Sequence, residues 1–179
     1  MILNRNKRTL PLDLKTSVGI GIARRLLDDA DVVVENFRPG VLDRLGLGYE
    51  EIRKINPEVI YGAISGFGRS GPYRDRAGFD LMAQGMSGIM SVTGEAPGRA
   101  PVKPGVPMTD ITGGILLAMG ICAALRHREV TGEGQMVDTS LFEAGIVQTY
   151  WHSAIAVATG ETPKPLGSGH PLNAPYQAL

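Results

Sequence analysis

The sequence predicts an α/β fold organised as a parallel, doubly wound sheet, and three observations carry that prediction. Short β-branched runs alternate with segments of helical periodicity. The connections between them are short, and each helical segment is long enough to serve as the crossover that parallel strands require. A length of 179 residues provides one substantial core, since a domain of about 150 residues buries roughly 70% of its unfolded surface.

Taken in order, residues 9–14 alternate moderately and predict a first strand. Val18, Ile22, Leu26 and Leu27 then recur at helical spacing behind a cap at Thr16 or Ser17. Asp31-Val32-Val33-Val34-Glu35 is a continuous run, the pattern of a strand covered on both faces. After Pro39-Gly40 a short helix reaches about residue 45, and a second over 49–55 stops at Asn56-Pro57. Residues 59–64 predict the next buried strand. A helix over 77–90 precedes a Gly/Pro-rich loop over 93–105.

The longest predicted helix covers residues 109–128, with Ile111, Ile115, Ala118, Met119, Cys122 and Leu125 as its core face. Arg126-His127-Arg128 places positive charge at its carboxyl end, where the dipole favours it. Residues 135–139 predict a strand, 141–158 a second long helix, and the remainder a loop. The expected organisation is a large domain over 1–158 and a linker over 159–179 leading to a smaller domain. The charged opening and the apolar-aromatic run over 173–179 read as the edges of a piece of a longer chain, without its first strand-and-helix unit.

Eighteen basic and eighteen acidic residues cancel, so no whole-chain field attracts a nucleic acid or an anionic membrane. Neither is an expected partner. Residues 1–8 hold no apolar stretch of signal-peptide length, and no run reaches about 18 uninterrupted apolar residues. Cys122 is the single cysteine, which excludes an intrachain disulfide, predicts a reducing compartment and reads as a small core residue. The expected location is the cytoplasm, or the mitochondrion in a eukaryote.

Several chemistries are disfavoured at once. His127, His152 and His170 lie far from any carboxylate or cysteine at ligand spacing, so no metal site is expected. No serine sits in a Gly-x-Ser-x-Gly elbow. Met82, Met86 and Met90 repeat every four residues and predict core.

Asp110 stands out, in Pro107-Met108-Thr109-Asp110-Ile111 at the first turn of the longest helix. Free backbone N–H groups and the helix dipole favour an ionised carboxylate there. Two roles are open to it: a plain helix cap, or a nucleophile, which must be ionised to attack a carbonyl. Glu35-Asn36-Phe37-Arg38-Pro39-Gly40 follows a strand and combines an amide, an aromatic face and a guanidinium, with Arg44 about one turn further on. That set suits a nucleotide with phosphates, or else a polar loop over a buried Phe37. Gly66-Phe67-Gly68-Arg69-Ser70-Gly71 echoes a dinucleotide fingerprint, but Pro72 follows and no helix begins there.

The order of these segments carries more than any one of them. Asn4-Arg5-Asn6-Lys7-Arg8, Leu12-Asp13-Leu14-Lys15, Asp31-Val32-Val33-Val34-Glu35-Asn36-Phe37-Arg38-Pro39-Gly40, Leu45-Gly46-Leu47-Gly48-Tyr49, Asn56-Pro57, Gly66-Phe67-Gly68, Gly71-Pro72-Tyr73, Ala77-Gly78-Phe79-Asp80 and Thr131-Gly132-Glu133-Gly134-Gln135 together resemble the class III (CaiB/BaiF-type) coenzyme A transferase family along essentially the whole chain. The resemblance implies an α/β fold with a Rossmann-like parallel sheet, the incomplete large domain of such an enzyme, and an interlocked homodimer at full length.

It also implies an activity: transfer of CoA between an acyl-CoA and a carboxylic acid, through an aspartyl anhydride and an aspartyl-CoA thioester on Asp110. By position, Leu12 and Lys15 touch the nucleotide, and Asn36, Phe37 and Arg38 line the pantetheine and phosphates. Arg44 faces phosphate, and Arg76, Ala77, Gly78 and Phe79 close over the thioester. CoA enters as a substrate, and no metal or organic prosthetic group is implied. Related 2-methylacyl-CoA racemases carry a histidine where this chain has Phe79, and phenylalanine moves no proton. A racemase-type isomerase and an inactive CoA-binding fragment are the alternative readings.

Overall fold

The computed structural model describes residues 4–178. Its centre is a parallel sheet of β1 (Val32–Glu35), β2 (Ile60–Ser65) and β3 (Gln135–Ser140), in that spatial order. Val32 sits opposite Ile60, and Ile60 opposite Gln135.

β2 is the middle strand, and its alternation decides what lies on each face. Tyr61 and Ala63, with Val59 before the strand, join Leu42, Leu47 and Ile52 in one core. That core is roofed by α1 (Ser17–Asp28), α2 (Val41–Arg44) and α3 (Tyr49–Ile55). Burying a side chain such as Ile52 or Val59 contributes roughly 1.5–3 kcal/mol, and both are almost completely enclosed. The Tyr61 hydroxyl donates to the Leu47 carbonyl at 3.2 Å, which satisfies the one polar atom this residue brings into the core.

The opposite face of the sheet receives α6 (Met108–Thr131). Here the fit depends on missing side chains. A Cβ on Gly113 would stand 2.8 Å from Ile64 Cδ1, one on Gly120 2.6 Å from Val137 Cγ1, and one on Gly62 2.9 Å from Ile121 Cδ1. Helix and sheet therefore meet along a seam of glycines, and the buried residues of α6 are Thr109, Gly113, Leu117 and Ala124. Ile111, Ile115 and Met119 are more than half exposed, and Ala118 and Cys122 are exposed too. The core face expected for this helix is thus the wrong one, and Cys122 is no core residue. Close approach decided the orientation before side-chain bulk did.

By length and composition α6 is apolar enough to cross a bilayer, yet its neighbours are β2, β3 and α7 (Leu141–Gln148). The remaining helices are α4 (Asp80–Met86), α5 (Ile89–Val92) and α8 (Tyr150–Thr159).

Other expectations need correction. Residues 9–14 form no strand. Asp13 commits this stretch to a turn instead, its carbonyl accepting from Thr16 N–H and its carboxylate from Lys15 N–H, which draws the backbone away from any ladder. The helix foreseen over 77–90 starts only at Asp80 and breaks at Gly88, whose φ of 89° no helix accommodates. The helix foreseen over 141–158 is divided at Thr149, whose N–H is shared between the carbonyls of Gly145 and Ile146. Val34 is 61% exposed, so β1 is open on one face, and Met82 and Met86 are each 41% exposed rather than core. The run over 173–179 forms no regular element through residue 178, and Leu179 lies outside the described residues, as do Met1, Ile2 and Leu3 of the opening segment.

Candidate active site

In doubly wound sheets ligands bind beyond the carboxyl ends of the strands, and three loops converge there. β1 ends at Glu35 and runs into Asn36, β2 ends at Ser65 and runs into Gly66, and β3 passes directly into α7 at Leu141. Phe142 N–H donates to the Gly66 carbonyl at 3.1 Å, tying the second loop to the third. Gly66 and Gly78 touch backbone to backbone, so closely that a Cβ on either would collide with the other's Cα.

These loops enclose a cleft of about 530 Å³ lined by Asn36, Ser65, Gly66, Phe79, Asp110 and Leu141, among others. A narrower groove of about 170 Å³ adjoins it and shares Asn36, Gly78 and Phe79; Phe37, Arg38, Arg76 and Ala77 complete its walls. A third, apolar hollow of about 330 Å³ is walled by Leu12, Leu26, Val33 and Phe37, among others.

Of the eleven positions singled out from sequence, nine therefore line this connected surface. Lys15 and Arg44 do not line it: Lys15 lies exposed in the turn before α1, and the Arg44 guanidinium rests near Gly40 at the start of α2. Phe37 is 49% exposed and Phe79 68%, so the reading of Phe37 as a buried loop residue is set aside. Arg76 stacks on Tyr73 with 4.2 Å to the ring centroid, which holds its charge at the rim of the groove.

Asp110 occupies the third position of α6 and is exposed to the cleft. It is not the helix cap. That role belongs to Asp80, whose Oδ1 accepts from Thr109 N–H at 2.9 Å, from Thr109 Oγ1 at 2.8 Å and from Asp110 N–H at 3.4 Å. Among the described residues the Asp110 carboxylate has no hydrogen-bond or ion-pair partner. Partial burial, and then the nearby charge of Asp80, push its pKa above the ordinary aspartate value. The expectation that the helix start favours its ionised form is reversed: burial and the Asp80 charge disfavour the anion, and the Thr109 and Asp110 N–H groups that could offset them donate to Asp80 instead.

A different arrangement lies a few residues away. The Arg69 guanidinium bridges Glu35 at 3.4 Å and Asp43 at 2.9 Å, while Arg69 N–H donates to Asp138 at 3.1 Å. Glu35 in turn accepts from Phe37 N–H at 2.8 Å, which fixes the start of the groove-lining loop. Burial pushes the Glu35 and Asp138 carboxyls up, opposed by these hydrogen bonds and by Arg69. Burial, helped by Glu35, drives the Tyr61 phenol up to about 12.

Asp80, Gln84 and Arg69 are the residues that sequence reasoning did not single out. Asp80 entered only as part of a quoted segment, because a cap supplied from 29 residues upstream leaves no local signature. No three His, Cys, Asp or Glu side chains gather as metal ligands among the described residues.

A family model described as CoA-transferase family III matches residues 1–179. The chain belongs to this family. It is 44% identical over 176 residues to a succinate–glutarate CoA-transferase of Agrobacterium fabrum, covering 98% of this chain and 44% of that protein. It is 42% identical over 178 residues to an acetyl-CoA:oxalate CoA-transferase of Acetobacter aceti, covering 99% and 46%. A crystal structure of a CaiB/BaiF family protein from Brucella suis superposes with a TM-score of 0.91 at 46% identity, over 98% of this chain and 46% of that one. The chain thus spans less than half the length of these family III relatives, and the α/β sheet foreseen from sequence is the family's fold.

Proposed function

We propose that the intact protein transfers CoA from an acyl-CoA to a carboxylic acid, with Asp110 as the nucleophile. The observation that carries this reading is the Asp110 carboxylate itself: unpaired among the described residues, exposed in the cleft at the strand ends, and relieved of capping by Asp80. The names of the family III relatives support CoA transfer in general.

In the first step an Asp110 oxygen attacks the thioester carbonyl, the C–S bond breaks, and a mixed anhydride and CoA thiolate result. The thiolate then attacks the Asp110 side-chain carbonyl, releasing the donor as its carboxylate and leaving an aspartyl-CoA thioester. The acceptor carboxylate attacks that thioester, breaking its C–S bond, expelling CoA thiolate and forming a second anhydride. Attack of the thiolate on the acceptor's acyl carbon yields the new acyl-CoA and restores Asp110.

Asn36, Phe37 and Arg38 would hold the pantetheine arm along the groove, with Leu12 beside the nucleotide and Arg76 to Phe79 near the thioester. Lys15 and Arg44 would meet phosphates from outside the groove. Glutarate, oxalate and mesaconate in the relatives' names make a small dicarboxylate the acceptor to test first. In this reading residues 1–158 belong to the CoA-binding domain and the following segment leads towards a second one, within an interlocked dimer. Incubating the intact protein with acyl-CoA and hydroxylamine should leave a hydroxamate on Asp110. Active enzyme with Asp110 unmodified would sink the proposal.

A further inference from the structure

Asp80 does more at this site than end a loop. Its Oδ1 serves three donors at the start of α6, and its Oδ2 accepts from Gln84 Nε2 at 2.5 Å. Gln84 is completely buried, and the same Nε2 lies 3.4 Å from the Val106 carbonyl. Both neighbours of that nitrogen are acceptors, so the orientation of the amide is fixed, and its Oε1 is left buried without a partner. A buried amide with an unmet oxygen costs stability, and here its other end locks the Asp80 carboxylate.

We propose that Asp80 is the positioning residue of the nucleophile: it takes the helix-start N–H groups that would otherwise bind the Asp110 carboxylate, and so leaves both oxygens of Asp110 unpaired and turned to the cleft. The inference rests on the reading of Asp110 as the attacking group and adds the reason why it is able to attack. A carboxylate that accepts several backbone N–H bonds is stabilised as the anion and is a weaker base. Taking those bonds away and setting a second negative charge beside it does the reverse.

The surroundings leave Asp80 as the charge in play. Among the elements packed on α6, β2 carries no charged residue. On α7, Glu143 is turned to Ser140 Oγ at 2.9 Å, and on β3 Asp138 is held by Arg69 N–H. α4 contributes only Asp80. The raised pKa of Asp110 agrees with this geometry.

Asp80→Asn separates charge from capping. The asparagine oxygen still accepts from Thr109, and if the Gln84 amide turns, its oxygen accepts from the new NH2 group while its nitrogen takes the unpartnered position, so one buried group stays unmatched as in the parent. In the intact enzyme, the rate of hydroxylamine trapping at Asp110 is to be measured against pH for the parent, Asp80→Asn and Asp80→Ala. The parent's acid limb should lie above the pH of an ordinary aspartate. Asp80→Asn should move it to lower pH and slow trapping several-fold at the plateau, with the KM for acyl-CoA unchanged. Asp80→Ala should do the same and also lower Tm. A limb that stays in place in a folded variant, or a parent limb at or below the ordinary aspartate range, reduces Asp80 to a structural cap and overturns the inference alone. Absence of any hydroxamate on Asp110 in active parent enzyme removes the underlying reading together with it.

Discussion

Two groups of carboxylates stand at the carboxyl ends of the same sheet and are treated in opposite ways. Glu35, Asp43 and Asp138 surround Arg69, and every one of them has a donor. Asp80 and Asp110 face the cleft, and among the described residues neither has a cation beside it and the Asp110 carboxylate has no partner. The first group uses its charge to tie the loop after β2 to β1, α2 and β3. In the second, Asp80 is bound by donors from α6 and Gln84, which leaves Asp110 as the free carboxylate in the cleft, the kind of group that a reaction at a carbonyl uses.

The largest expected effect lies in the second group. Asp110→Asn in the intact protein should lower turnover by about 10³-fold or more, as removal of a nucleophile does elsewhere, without loss of stability at neutral pH. The sign follows from the raised pKa: the folded chain holds this proton more tightly than the unfolded one. The ionised form therefore weighs against folding above the folded pKa, and that penalty fades as pH falls towards the unfolded value. Urea midpoints of the variant below the parent's at pH 7 would contradict it.

Arg69→Met should show the converse, a change in stability first. Removing one partner of a buried ion pair leaves the other uncompensated and destabilises by about 3–5 kcal/mol; the Arg69 side chain is 25% exposed, so a loss at the lower end, about 3 kcal/mol, is expected from urea denaturation. Glu35 and Asp138 already have raised pKa values. The loss should accordingly be greatest at neutral pH and shrink as acid neutralises them. Because Glu35 anchors Phe37 N–H, the same variant should raise the KM for acyl-CoA more than it lowers kcat. A smaller effect, of no more than about 1 kcal/mol, is expected for Asp43→Asn, since that carboxylate is 42% exposed and water screens the pair. A loss equal to that of Arg69→Met would mean that the bridge to Asp43, and not the buried Glu35, carries the cluster.

The difference between the two groups also marks how far sequence could be read. β1, β2, β3 and the helices around them announce themselves through local periodicity, and Thr16 does cap α1, accepting from Gly19 N–H at 3.1 Å. Local pattern fails where a contact between distant segments decides the outcome. The residues predicted for the core of α6 are large and apolar, yet Gly113 and Gly120 choose its buried face, because only there can the helix reach Ile64 and Val137. Residues 9–14 have the alternation of a strand, but the Asp13 turn claims them. Asp110 was legible as a residue of interest; its freedom from capping was not, because Asp80 lies 30 positions away.

The contact between Gly66 and Gly78 sets a last condition on the cleft. Two main chains that meet without side chains have nothing to exchange, so a bulkier residue at one position has no smaller partner at the other to make room for it. Variation in acyl-group preference would have to be written at movable walls such as Phe79 and Leu141, while this stretch of wall stays the same shape whatever substrate it serves.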